Sequence, residues 1–228
     1  MTKGAISRKQ LLKEPDQFIT FSGKLIAFGK TNLKAILIGA GAFFTVLVAF
    51  VVIQYTSDRN ENQASELVEK TMAKYTAALA DTDPKTAYDR VKGDFSAIIT
   101  KYGSKRAAQI ARIVFGDISY NAGDADNAIQ MYTQALDTVG DFPALKNLVL
   151  SGLGYAYALK KEYPQSIRYF EMISDGDDNT MKSGAIFNLA WLYETTGDKE
   201  KSTALYTRLM EDFPNTIYSD LLKEKVNG

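Results

Sequence analysis

The chain has 228 residues with 27 basic and 27 acidic side chains, so its formal net charge is zero, and it contains neither cysteine nor histidine. The missing thiols exclude a disulfide framework and a cysteine nucleophile, and the missing imidazoles remove the commonest general base and metal ligand. The neutrality hides a division: residues 1–34 carry seven basic residues against Glu14 and Asp16, and everything beyond residue 55 carries twenty against twenty-five.

The first segment, residues 1–34, reads as a basic tail. After the short "MTKGAISRKQLLKEP" stretch, Phe18, Phe21, Leu25 and Phe28 recur at helical spacing, which places them on one face of an amphipathic helix. Such a helix rests on the inner leaflet or docks on a membrane partner; the sequence leaves both open. Residues 35–55 follow as a predicted transmembrane helix. From Ala35 to Ile53 nineteen residues run without a charge, enough to cross a bilayer core of about 30 Å. The run is too long for the apolar core of a signal peptide, and it is apolar on every side rather than along one stripe. Lysine and arginine beside a span stay in the cytoplasm. The N-terminus is therefore expected inside, and the acidic remainder outside the cytoplasm, which in a Gram-negative cell is the periplasm.

Beyond Tyr55 apolar residues recur at helical spacing between short turns, so the fold class is all-α. Residues 56–104 are expected to form a helical hairpin linking membrane to solenoid, with a turn at "DTDP" and a second helix over Lys85–Tyr102. From residue 105 three segments line up: "FGDISYNAGDADNAIQMYTQAL" from Phe115, "LGYAYALKKEYPQSIRYFEMI" from Leu153 and "LAWLYETTGDKEKSTALYTRLMEDFP" from Leu189, at steps of 38 and 36 residues. A small residue follows each starting apolar residue (Gly116, Gly154, Ala190). A turn follows at Gly123-Asp124, Lys161-Glu162 and Gly197-Asp198. A second small residue (Ala128, Ser166, Ser202) precedes an aromatic by four places (Tyr132, Phe170, Tyr206). This pattern resembles the tetratricopeptide repeat, a helical hairpin of about 34 residues. Residues 105–228 are accordingly expected to form a tetratricopeptide-repeat-like α-solenoid, closed by the charged helix "YSDLLKEKVNG" as its polar cap.

No catalytic constellation appears, and no cofactor or metal site is expected. The densest acidic loop, "SDGDDNT", lacks the oxygen spacing of a calcium loop. It reads as a helix cap. In the repeat family the concave face is lined by first-helix positions two before, two after and five after the starting apolar residue. Those positions hold Ile113, Asp117 and Tyr120, then Ser151, Tyr155 and Ala158, then Phe187, Trp191 and Glu194. None is the Lys, Arg or Asn with which some members grip a terminal carboxylate. The candidate partner-binding residues are therefore Asp117, Tyr120, Tyr155, Trp191 and Glu194. The aromatics would supply apolar contact and the carboxylates would favour a basic ligand. The sequence leaves open whether Trp191 lies in the groove or in the core.

The layout of basic tail, single span and external helical repeats resembles the YfgM-type inner-membrane proteins. "ASELVEKTMAKYTAALA" after the span and "AAQIARIVFGDISYNAGDADNAIQMYTQAL" carry the likeness. The resemblance implies association with the Sec translocon and periplasmic chaperones. The expected function is a membrane-anchored, non-catalytic scaffold for envelope or membrane proteins, in contact with lipid. Neither nucleic acid nor a small-molecule substrate is expected as a ligand. The alternative is an accessory subunit of a larger membrane complex, held by tail and span.

Overall fold

A computed structural model describes residues 23–24, 26–28, 30–140, 142–219, 221–222 and 225. The Phe18 to Phe21 part of the expected amphipathic helix, and Leu25, lie outside these residues. The described positions are helical or in short turns, with no strand among them.

Helix α1 runs Leu33–Asp81, 49 residues without a break. The expected span and the first helix of the linking hairpin both lie within it, and no Gly or Pro stands between Ala42 and Asp81 to interrupt it. By length and composition α1 is long and apolar enough to cross a membrane, and none of its most apolar window is buried. The chain divides into two compact units between Asp58 and Arg59.

The second unit is built of hairpins. The last turns of α1 present Val68, Met72, Tyr75 and Ala78 to α2 (Pro84–Tyr102), which answers with Ala87, Tyr88, Val91 and Phe95 in one core cluster. Asp83 starts α2: its side chain accepts from the backbone N–H groups of Lys85 and Thr86, and Pro84 takes a first-turn position where an N–H is not needed. Then come α3 (Arg106–Asn121) and α4 (Ala125–Leu136), α5 (Pro143–Leu159) and α6 (Tyr163–Ser174), and α7 (Lys182–Thr196) and α8 (Lys199–Asp212). Each of these helices packs on the next.

The repeated small and aromatic residues meet where the alignment places them. A methyl group added at Gly116 would come within 2.8 Å of the Tyr132 ring, and one at Gly154 within 2.6 Å of Phe170. Ala190 shares a core cluster with Tyr206. Tyr132 also fills the step to the following hairpin, since a methyl at Gly152 would lie 2.5 Å from its ring. Phe95 of α2 is fully buried and stacks on Phe115 at 5.0 Å. Each such ring contributes about 1.5–3 kcal/mol through burial.

The turns repeat as well. Gly123 and Gly197 take positive φ (79° and 91°), and the Asp after each accepts from a backbone N–H of the next helix. At the C-terminal end Ser219, Leu221, Leu222 and Lys225 are helical. Leu222 is buried beside Tyr206 and Leu209, so this segment closes the core of the last hairpin.

Candidate interaction groove

The first helices of the three clear hairpins, α3, α5 and α7, position the candidate residues. Tyr120 at the end of α3 faces Tyr155 of α5 with ring centroids 6.2 Å apart, and Tyr155 meets Phe170 edge-on at 5.2 Å. The amide of Asn188 on α7 donates to the Tyr155 hydroxyl at 2.9 Å. Tyr155 thus ties three successive first helices together while remaining 38% exposed. Trp191 is 43% exposed and belongs to none of the core clusters among the described residues. The structure therefore places it on the surface.

The other positions on this face divide. Ile113 and Ser151 are buried, so they serve packing. Phe187 is half-buried under Tyr218, whose ring stacks on it at 4.1 Å.

Both carboxylates already hold internal partners. Tyr132 donates its hydroxyl proton to Asp117 at 2.5 Å. Asp117 is exposed at the surface, with its carboxyl partly enclosed by neighbouring protein atoms. That enclosure raises its carboxyl above the usual aspartate range, with the Tyr132 hydrogen bond pulling the other way. Glu194 accepts from Lys225 at 2.7 Å and from the Tyr206 hydroxyl at 3.2 Å. The Lys225 hydrogen bond comes first among the causes that hold its carboxyl below the usual glutamate range. Burial, then Glu194, pushes the Tyr206 phenol up to about 12. Of the two charges expected to attract a basic ligand, Glu194 is thus neutralised by a cation of the same chain, and Asp117 is engaged by a neutral hydroxyl donor. A carboxylate with a fixed internal donor offers less to an external cation.

The structure adds a cleft to which the nine aligned positions contribute only Ile113. About 490 Å³ opens between the start of α3 and the start of α5, lined by Ile110, Ile113, Val139, Phe142 and Leu145, with Arg106 at its edge. Ile110 is 50% exposed and Phe142 71%. The signal was present in the sequence: Arg106, Ile110, Ile113, Asp117 and Tyr120 recur at 4-3-4-3 spacing along one helical face. The family positions begin at Ile113 and so leave out the first two.

The "SDGDDNT" loop acts as a clasp. Asp178 accepts from the Thr180 backbone and hydroxyl and from the Asn147 side chain of α5. Among the described residues no group of three or more acidic side chains gathers that could hold a metal ion.

A family model described as a tetratricopeptide repeat-like domain matches residues 27–175, and one described as a tetratricopeptide repeat matches residues 185–216. No curated protein matches the chain.

Proposed function

Because the chain belongs to the tetratricopeptide repeat-like domain family, whose repeats mediate protein–protein interactions, we propose that it is a membrane-anchored, non-catalytic scaffold. Its repeats would hold a segment of an envelope or membrane protein outside the cytoplasm. One observation carries the proposal. Tyr120, Tyr155 and the exposed Trp191 lie on first helices of three successive hairpins, and Tyr155 is bonded or packed to all three. Tyrosine and tryptophan so placed are common anchors of protein interfaces.

The membrane part rests on the uncharged run of α1 and the basic residues before it. The family match begins at residue 27, ahead of that run. This supports treating span and repeats as one inherited unit, and it is compatible with the YfgM-type layout and a place near the translocon and periplasmic chaperones. An export-dependent reporter fused after Gly228 should be active; activity only of a cytoplasmic reporter there reverses the topology.

The binding test is Trp191→Ala in the full chain, purified in mild detergent. Truncating an aromatic anchor typically costs about 2 kcal/mol or more of binding. The expected result is loss of co-purifying partner with an unchanged melting curve. Undiminished partner recovery would remove Trp191 from the interface, and a collapsed melt would return it to the core. The alternative role, an accessory subunit of a larger membrane complex, predicts instead a fixed stoichiometry with membrane proteins that survives Trp191→Ala.

A further inference from the structure

The charge at the α3–α5 cleft is opposite in sign to that of the carboxylates further along the groove. Arg106 opens α3 at the head of the row that continues through Ile110, Ile113, Asp117 and Tyr120. Its backbone N–H is taken by the Glu61 carboxylate at 3.0 Å, but its guanidinium forms no ion pair among the described residues. It borders the cleft between α3 and α5, and among the described residues no acidic side chain lines that cleft. Further along, Asp117 is bonded to Tyr132 and Glu194 to Lys225. Of these three charged groups on the face, Glu194 is paired with a cation and Asp117 holds a neutral hydroxyl donor, whereas the Arg106 guanidinium at the cleft has neither.

The cleft itself is apolar and of a size for side chains. About 490 Å³ accommodates two or three large apolar groups, within the usual range of ligand pockets. Ile110 and Phe142 stay half or more exposed at its mouth. An apolar wall with one planar, permanently charged donor at its edge matches a carboxylate next to apolar side chains, because guanidinium and carboxylate pair in two parallel hydrogen bonds. A lysine or arginine in that place would meet Arg106 as a like charge.

We propose that the α3–α5 cleft docks a protein segment carrying two large apolar side chains one helical turn apart with an acidic residue beside them, and that Arg106 reads the acid. This deepens the scaffold proposal and rests on it for the claim that the ligand is a protein segment. The cleft would then fix the direction in which the segment enters the groove, acid first, with its remainder running toward Tyr155 and Trp191.

The test uses the full chain in detergent and three fluorescein-labelled 14-residue peptides. They are identical except that the residue after a Leu-x-x-x-Leu pair is Glu, Gln or Lys. Anisotropy titrations should rank Glu tightest and Lys weakest, with about a three- to five-fold step between Glu and Gln, the size of one exposed ion pair. Arg106→Gln should erase the ranking, and Arg106→Glu should invert it. Ile110→Glu should weaken all three peptides by tenfold or more without moving the melting midpoint, since Ile110 is half exposed. Equal binding of the three peptides, no binding by any of them, or a ranking that survives Arg106→Gln overturns the proposal. The wider scaffold reading is judged separately by Trp191→Ala and partner recovery. A failed ranking with an intact Trp191 effect refutes the cleft alone.

Discussion

The middle hairpin and its two neighbours follow the same path from different residues. Between α3 and α4, and between α7 and α8, the turn is Gly-Asp: glycine supplies the left-handed backbone and aspartate caps the next helix. Between α5 and α6 the turn is Lys161-Glu162. Lys161 nevertheless takes φ 63°, and Glu162 makes no capping bond. A non-glycine residue in that region is disfavoured by roughly 1 kcal/mol, so something other than the turn imposes the geometry. The crossing above it does so: Gly154 lets Phe170 approach until a methyl group would not fit, and the Ser166 hydroxyl donates to the Gly154 carbonyl at 2.8 Å. Packing directs this hairpin, whereas local turn chemistry assists its neighbours.

The sharpest way to break the comparison is at the crossing. Gly154→Leu would drive its side chain into the Phe170 ring, and overpacking of this kind costs about 1–3 kcal/mol or more. We expect the upper part of that range, because no turn preference is there to hold the hairpin. Thermal melts of the full chain in detergent measure it. An unchanged midpoint would mean that Phe170 has room to move and that the crossing is not what holds α5 to α6.

Capping gives a graded series. Asp124 caps α4 and also accepts from the Tyr88 hydroxyl at 2.6 Å. Asp198 caps α8. Losing a cap costs about 1 kcal/mol, so Asp124→Ala should exceed that figure, Asp198→Ala should match it, and Glu162→Ala should stay within about 0.5 kcal/mol of zero. Equal losses at all three sites would show that the Glu162 ion pair with Lys160, at 2.9 Å, is worth as much as a cap. A fourth helix start belongs to the series. Lys105 gives α3 no side-chain cap, and Glu61 on α1 supplies it from a distance, accepting from the N–H groups of Arg106 and Ala107 at 3.0 and 2.8 Å. Glu61→Ala should cost about 1–2 kcal/mol.

These starts also mark what could be read from the sequence. The Gly-aromatic crossings and the Gly-Asp turns were legible because each depends on residue identity at a fixed local spacing. Glu61 was not, because 45 residues separate it from the N–H it caps. The left-handed Lys161 was not either, since nothing in a lysine announces that conformation. The candidate face divided in the same way. Its aromatics could be assigned from helical register, but the partners of Asp117 and Glu194 come from other helices, and Lys225 lies 31 residues from the acid it neutralises. Arg106 and Ile110 lay in plain register and were missed because the family positions begin after them.

The two groove carboxylates should respond to pH with opposite signs. Asp117 is raised in the folded state, so the native protein holds a proton that the unfolded chain has lost, and stability falls as pH rises above the ordinary aspartate range. Glu194 is lowered, so its stabilisation is present above the ordinary glutamate value and fades as pH falls below it. Melting midpoints measured from acid to neutral pH should therefore fall off less toward neutral in Asp117→Asn, and less toward acid in Glu194→Gln. Parallel shifts in both variants would contradict the assignment of Lys225 to Glu194 and of burial to Asp117.

The smallest expected effect bears most directly on the middle turn. Lys161→Gly removes the steric cost of φ 63° in the folded state but adds freedom to the unfolded chain. The first term is about 1 kcal/mol and the second about 0.4–1 kcal/mol, so the net gain is expected to be a few tenths of a kcal/mol. For a domain of this size that raises the melting midpoint by about 1 °C. Adding Glu162→Asp should supply the missing cap and bring the double variant up by about 1 kcal/mol more, making the middle hairpin chemically like its neighbours. The reverse exchange at Gly197, which sits at φ 91° with open space around it, isolates the backbone term: Gly197→Lys should lose about what Lys161→Gly gains, or somewhat more, since 91° lies further from the ideal left-handed value near 57°. If Lys161→Gly instead lowers the midpoint, the exposed lysine side chain makes a stabilising contact of its own. The middle turn would then be favoured by its sequence, and the contrast with its neighbours would disappear.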